Sequence, residues 1–123
     1  MTPALIAAAT IGTGAVAALL RYLVSRAFAS RPGFPWAVLI VNVVGSAIGG
    51  AVLGLATVAD VDPGLRLILL TGLCGGLTTF STFSVETVQY VMEGKWRVAA
   101  ASVGANLVLG VGAAAAAYLL VTA

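Results

Sequence analysis

Residues 72–83, Gly-Leu-Cys-Gly-Gly-Leu-Thr-Thr-Phe-Ser-Thr-Phe, combine residue types that could bind a small ion inside a membrane. Two adjacent glycines, four hydroxyl residues and two phenylalanines interrupt an otherwise apolar segment. A bilayer core contains no water, so a broken helix survives there only where protein buries it or a cavity hydrates it. We expect the Gly-Gly-Leu-Thr-Thr run to open the helix and to leave carbonyls and hydroxyls free for an ion.

Polar side chains in the other apolar segments could contact an ion or only a neighbouring helix. Arg21, near the end of the first segment, either snorkels to the interface or places a positive charge at a water-filled mouth. The amide of Asn42 could bond another helix or donate to a dehydrated anion. Ser102 and Asn106 are four residues apart, so they share one helix face and either bond across helices or line a polar path.

Two phenylalanines and an acid follow the interrupted stretch. Phe80 and Phe83 are three residues apart and share a face if the helix resumes there. Lipid contact or core packing is the ordinary interpretation, but aromatic ring edges carry partial positive charge and could approach an anion. Glu86, one turn further on, lies either at an aqueous mouth of such a path or at the plain membrane interface.

Four long apolar segments must position these residues. The 123-residue chain is 61% hydrophobic and only 8% charged, whereas soluble domains are about a quarter charged. Segments of about 20 apolar residues cross the hydrocarbon, and four are present, at residues 4–28, 36–59, 67–91 and 98–121. We therefore predict an all-α membrane protein with a single four-helix transmembrane domain over 1–123, its third helix broken at mid-membrane.

Several other classes of protein fit this composition poorly. A secretory signal peptide begins with positive residues, and the first 20 residues contain no Lys or Arg. Cys74 is the only cysteine and the chain has no histidine. These counts exclude an intrachain disulfide, a metal site of thiolates or imidazoles, and serine–histidine catalysis. We expect no enzyme activity.

Small residues and loop charges predict assembly and orientation. Glycine pairs four residues apart, such as Gly45 and Gly49, allow close helix approach, either between subunits or within one bundle. Four short helices barely enclose a path, so we expect an oligomer. The two loops on one membrane face carry Arg26, Arg31, Lys95 and Arg97, and the opposite face carries only Arg66. Such a bias predicts cytoplasmic positions for those two loops and external positions for both termini.

Three motifs in order resemble the Fluc family of fluoride channels, also called CrcB. They are the Arg-Tyr ending of residues 17–22, the Asn-x-x-Gly of residues 42–45 and the glycine- and hydroxyl-rich run of residues 72–86. The resemblance implies antiparallel, dual-topology dimers in the plasma membrane with two fluoride pathways and a central structural sodium ion. It also implies passive fluoride export that protects the cell.

The resemblance assigns roles to individual residues of this sequence. The main-chain carbonyls of Gly75 and Thr78 would bind the sodium ion. The edges of Phe80 and Phe83 would face fluoride, and Asn42 would donate its amide to it. The remaining members of the pathway would be Arg21 in the wide vestibule, Glu86 at the far end, and the polar side chains of Ser81, Thr82, Ser102 and Asn106.

The sequence departs from this family's pattern in two respects. Hydroxyl residues often lead to the exit on the second and fourth helices, but Val38 and Gly110 stand at two such positions here, and Asn106 could substitute. Dual-topology insertion needs nearly balanced loop charges, so a heterodimer with an oppositely oriented paralogue is the alternative to a homodimer. Two other functions stay open: a small multidrug-type exporter, which would need a carboxylate in the first helix, and a non-transporting membrane assembly subunit.

Overall fold

A computed structural model describes residues 1–123 and contains helices as its only regular elements. Three spans are single helices: α1 (Pro3–Ala27), α2 (Trp36–Val58) and α6 (Trp96–Thr122). The third span, Pro63–Met92, is composite. It consists of α3 (Pro63–Leu67), a π-helical stretch (Ile68–Cys74), α4 (Gly75–Leu77) and α5 (Phe80–Met92). All four spans are long and apolar enough to cross a bilayer, so the chain is a multi-pass membrane protein, as predicted.

The third span begins one turn earlier than the sequence analysis placed it. Its predicted start was residue 67, whereas the helix begins at Pro63. Asp62 caps the helix by accepting the Leu65 N–H at 3.0 Å, and Pro63 occupies the first helical position. Proline is favoured there because its ring fixes a helical φ and no backbone donor is lost.

The break in the third span is real, but it does not lie at the glycines. Gly75 has helical torsions of φ −63° and ψ −37°. Thr78 and Thr79 are instead extended, with ψ 155° and 120°. Branched threonines adopt extended backbone readily. The prediction of an interrupted third helix is thus confirmed, and the opening lies at the two threonines of the Gly-Gly-Leu-Thr-Thr run while its glycines stay helical.

Glycines instead let helices of the same chain approach closely. A Cβ atom on Gly76 would lie 2.5 Å from the carbonyl oxygen of Gly14 in α1. A Cβ on Gly50 would overlap the carbonyl of Ala114 in α6. Of the two interpretations of these glycines, packing within one bundle therefore accounts for both positions.

The buried core lies beside the break. Ala17, Val41 and Leu77, from three different spans, form a buried cluster. Much of the remaining apolar surface is exposed, including Phe80 at 80%. These outward side chains suit contact with lipid or with another subunit, and the core fixes the end of α4 against α1 and α2.

Candidate functional site

The extended peptide at Thr79 is held by the side chain of Asn42. Asn42 Oδ1 accepts the Thr79 N–H at 2.8 Å, and Asn42 Nδ2 donates to the Thr79 carbonyl at 3.2 Å. The amide thereby replaces the main-chain partners that a continuous helix would provide. Because Thr79 is only 6% exposed, its unpaired N–H and carbonyl would otherwise be costly at membrane depth.

A second amide joins this pair from α6. Asn42 Nδ2 also donates to Asn106 Oδ1 at 3.0 Å. Asn106 Nδ2 in turn donates to the Ser102 carbonyl at 2.8 Å and lies 3.5 Å from the Ser102 hydroxyl. The predicted shared face of Ser102 and Asn106 is confirmed, and Ser102 is almost fully buried at 1% exposure. The network links α2, the break and α6.

Several hydroxyl side chains lie at the start of α5, directly after the break. Thr79 Oγ1 accepts the Thr82 N–H at 3.1 Å and donates to Thr82 Oγ1 at 2.9 Å. Ser81 Oγ lies 3.4 Å from the same Thr79 hydroxyl. Thr79 is therefore the N-cap of α5, and three hydroxyls cluster within one turn of the break.

Both phenylalanines line a cavity at the break. Its volume is about 450 Å³. Its wall combines apolar side chains with Asn42, Asn106, Thr78 and Thr79. The rings of Phe80 and Phe83 lie with centroids 6.1 Å apart and planes inclined by 46°. Ser46 also lines this cavity and was missed by the sequence analysis. Its position one turn after Asn42 was the available signal.

Arg21 lies at a separate, smaller cavity. This space of about 220 Å³ is lined by Arg21, Tyr22, Thr79 and Thr82 among others. Thr79 thus contributes to the walls of both cavities, so the extended residue stands between the arginine and the phenylalanines. Arg21 is only partly exposed, and it shares this cavity with two residues of the hydroxyl cluster, Thr79 and Thr82.

Glu86 lies further along α5, beside two openings. One, of about 400 Å³, also contains Ser81 and Thr82 in its wall. The other, of about 440 Å³, lies at the loop end of the molecule and includes Arg31 and Lys95. Glu86 Oε2 is buried and accepts no hydrogen bond. Glu86 is therefore grouped with the hydroxyls of α5, and the phenylalanine cavity does not include it.

Main-chain oxygens at the break fit a hard monovalent cation. Helix α4 ends at Leu77, so its last carbonyls lose their usual amide donors. In a continuous helix the Gly75 carbonyl would accept from Thr79 N–H, which donates instead to Asn42. The chain offers no cluster of His, Cys, Asp or Glu side chains for a metal. Oxygen atoms of this kind are compatible with the sodium ion that the resemblance implies, since hard cations prefer oxygen.

Comparison with known proteins identifies the family. The model described as "CrcB-like protein, Camphor Resistance (CrcB)" matches residues 7–118. The chain belongs to the CrcB family. The CrcB match extends across all four spans.

Curated CrcB relatives carry the name fluoride-specific ion channel. FluC 1 of Thermobifida fusca (strain YX) is 48% identical over 102 residues, covering 81% of this chain and 82% of that protein. FluC of Nitrobacter winogradskyi (strain ATCC 25391) is 42% identical over 103 residues, covering 81% and 82%. FluC 1 of Streptomyces avermitilis (strain ATCC 31267) is 43% identical over 101 residues, covering 80% and 82%.

Proposed function

We propose that this chain is a subunit of a passive, fluoride-selective ion channel. The names of its CrcB relatives support the permeant ion, and they agree with the expectation that the chain is no enzyme. The observation that carries the proposal is the cavity at the break, where amide, hydroxyl and phenyl groups from three spans converge. That combination suits a small anion that must exchange its water for protein donors.

The fluoride path runs from the Arg21 cavity, past Thr79, into the phenylalanine cavity. Arg21 attracts anions electrostatically, and the hydroxyls of Ser81 and Thr82 replace part of the hydration shell. Thr79 lines both spaces, which supports their connection through the break. Glu86 lies at the mouth beyond these hydroxyls, where its cavity is shared with both.

Selectivity comes from short-range donors in an apolar wall. The edges of Phe80 and Phe83 carry partial positive charge, and the tilted arrangement of the rings supports an approach by edges. The amides of Asn42 and Asn106 and the Ser102 hydroxyl continue the polar side of the path. A larger, more weakly hydrated halide gains less from such close donors and fits a narrow path poorly.

The carbonyl oxygens of Gly75 and Thr78 are proposed to hold a structural sodium ion, with the same atoms of a second subunit. Their support is the helix end at Leu77, which leaves these oxygens without amide donors. The ion supplies a buried positive charge when bound. The chain's own contribution is to keep the carbonyls fixed, which the Asn42 bonds to Thr79 achieve.

The active unit is proposed to be an antiparallel dimer in the plasma membrane. One chain leaves Phe80 at 80% exposure, so a second subunit is needed to close the path around it. Two forms of this dimer are open: a dual-topology homodimer, or, because the four-to-one bias of loop charges disfavours dual insertion, a heterodimer with an oppositely oriented paralogue. Reporter fusions at the C-terminus distinguish the two, because dual insertion gives signal from both sides of the membrane.

Ion release from liposomes tests the function. Purified protein is reconstituted in vesicles loaded with fluoride or chloride, and a potassium ionophore clamps charge while electrodes follow each anion. The proposal expects rapid fluoride release without matching chloride release. Equal release of both anions would overturn the proposal. So would the absence of fluoride release both from the chain alone and from the chain co-expressed with an oppositely oriented paralogue.

A further inference from the structure

The amide of Asn42 has no free hydrogen for an anion. One acceptor is the Thr79 carbonyl and the other is Asn106 Oδ1. An anion that takes a hydrogen from Asn42 must therefore displace one of these two oxygens. We propose that Asn106 is the displaced group: its side-chain oxygen occupies the anion position between ions, and its amide turns over when fluoride arrives. This inference rests on the proposed fluoride path.

The Thr79 carbonyl is the harder of the two oxygens to displace. It belongs to a buried main-chain peptide whose N–H is also fixed by Asn42, at 2.8 Å. Asn106 Oδ1 is instead at the end of a side chain whose last torsion is broad and nearly two-fold. Turning that torsion by about 180° exchanges its oxygen for its nitrogen. Asn42 and Asn106 both line the same cavity, which gives the anion access to the pair.

The turn keeps the donors of both asparagines in use, while the Ser102 carbonyl gives up its side-chain donor and keeps the main-chain N–H of the continuous helix α6. Without an anion, Asn106 accepts from Asn42 and donates to the Ser102 carbonyl. After the turn, the Asn106 nitrogen and the Asn42 nitrogen both donate to fluoride. The displaced Oδ1 then faces Ser102, whose hydroxyl lies close by, 3.5 Å from the present Nδ2. A hydroxyl hydrogen rotates freely, so Ser102 can donate to that oxygen and stabilise the loaded state.

An internal competitor of this kind determines both affinity and selectivity. Each entering anion replaces one acceptor of Asn42 by another. Binding is therefore favourable only for an anion that accepts hydrogen bonds better than an amide oxygen does. Fluoride is the strongest acceptor among the halides. The returning Asn106 oxygen also promotes release, because Asn42 is never left with an unpaired donor.

Two substitutions of Asn106 test the competing oxygen and the arriving donor. Asn106→Ala removes both at once: Asn42 is freed, but the second donor to fluoride is lost, so the half-saturating fluoride concentration for efflux stays within about tenfold of that of the unchanged protein, the worth of one hydrogen bond. Asn106→Asp presents an oxygen in both orientations, and fluoride efflux falls by at least about tenfold. Ser102→Ala removes the donor to the turned amide, so half-saturation requires a higher fluoride concentration than in the unchanged protein.

Selective ¹⁵N labelling of asparagine reports the turn directly. The sequence contains two asparagines, Asn42 and Asn106, so the spectrum holds two side-chain amide pairs, and Asn106→Ala assigns them. We expect fluoride, added against gluconate at constant sodium and ionic strength, to shift both pairs. In Ser102→Ala the Asn106 shift requires a higher fluoride concentration.

The outcomes separate this inference from the proposed function. If the unchanged protein conducts fluoride but the Asn106 pair does not shift, while Ser102→Ala saturates at the same fluoride concentration, the displacement is wrong and the channel stands. If the unchanged protein releases no fluoride, the path and the displacement fail together. Gel filtration of each variant identifies misfolding, and Ser102→Ala then decides the matter through its own shift in half-saturation.

Discussion

Replacing Asn42 by alanine tests whether one side chain supports the break in the third span. The substitution removes three hydrogen bonds, of 2.8, 3.2 and 3.0 Å, which join Asn42 to Thr79 and to Asn106. It also leaves the Thr79 N–H and carbonyl without partners inside the membrane. We therefore expect a loss of stability in addition to a loss of conduction.

The size of the loss follows from the number of bonds. A side-chain hydrogen bond contributes about 1 kcal/mol net in proteins, and about 0.6 kcal/mol on average between membrane helices. Three bonds at these values give about 2–3 kcal/mol. The free energy of unfolding of Asn42→Ala should fall by that amount, measured by equilibrium unfolding in mixed detergent micelles without fluoride.

Ser46→Ala is the matched control for Asn42→Ala. Ser46 lies one turn further along α2 and lines the same cavity. Away from buried networks, a substitution changes stability by less than about 0.5 kcal/mol. If both variants unfolded at the same denaturant concentration, Asn42 would not support the break, and the reasoning from its hydrogen bonds would be refuted.

Three further perturbations have expected outcomes. Gly76→Ala brings a methyl group to 2.5 Å from the Gly14 carbonyl oxygen and should lower the free energy of unfolding by about 1–3 kcal/mol. The control Gly104→Ala has no neighbour within 4 Å and should be neutral or slightly stabilising in the same unfolding assay. Arg21→Gln should reduce fluoride efflux severalfold at low ionic strength and less at high, since salt screens the lost charge; equal reduction at both would contradict a steering role. Exhaustive exchange of sodium for N-methylglucamine should lower the thermal midpoint and the dimer fraction seen by gel filtration, and unchanged values would argue against the sodium site.

The sequence predicted the four spans because apolar length is a direct signal for crossing a bilayer. It also predicted that the third span is interrupted, because hydroxyls and glycines cluster there. Which residues of the Gly-Gly-Leu-Thr-Thr run leave the helix could not be predicted, since glycine is compatible with either a helical or an open backbone. Gly76 remains helical because it must pack against Gly14, and that contact is invisible in the order of residues.

Contacts between distant residues were the other part that could not be predicted. Helical periodicity gives the shared face of Ser102 and Asn106, but it does not give the register of α6 against α2. The bond between Asn42 and Asn106 spans 64 positions in sequence and depends on that register. Ser46 was missed for a related reason, because a serine among small residues is equally typical of plain helix packing.

Fluoride efflux through variants of the phenylalanine cavity tests the central claim most directly. Phe80→Ile and Phe83→Ile remove the ring edges, while Val88→Ile changes an exposed residue of the same helix, α5. Each is reconstituted as a dimer verified by gel filtration, and fluoride release is followed by electrode with charge clamped. We predict that both phenylalanine variants lose most or all fluoride release while Val88→Ile retains it. Undiminished release in both phenylalanine variants would show that fluoride does not pass between these rings.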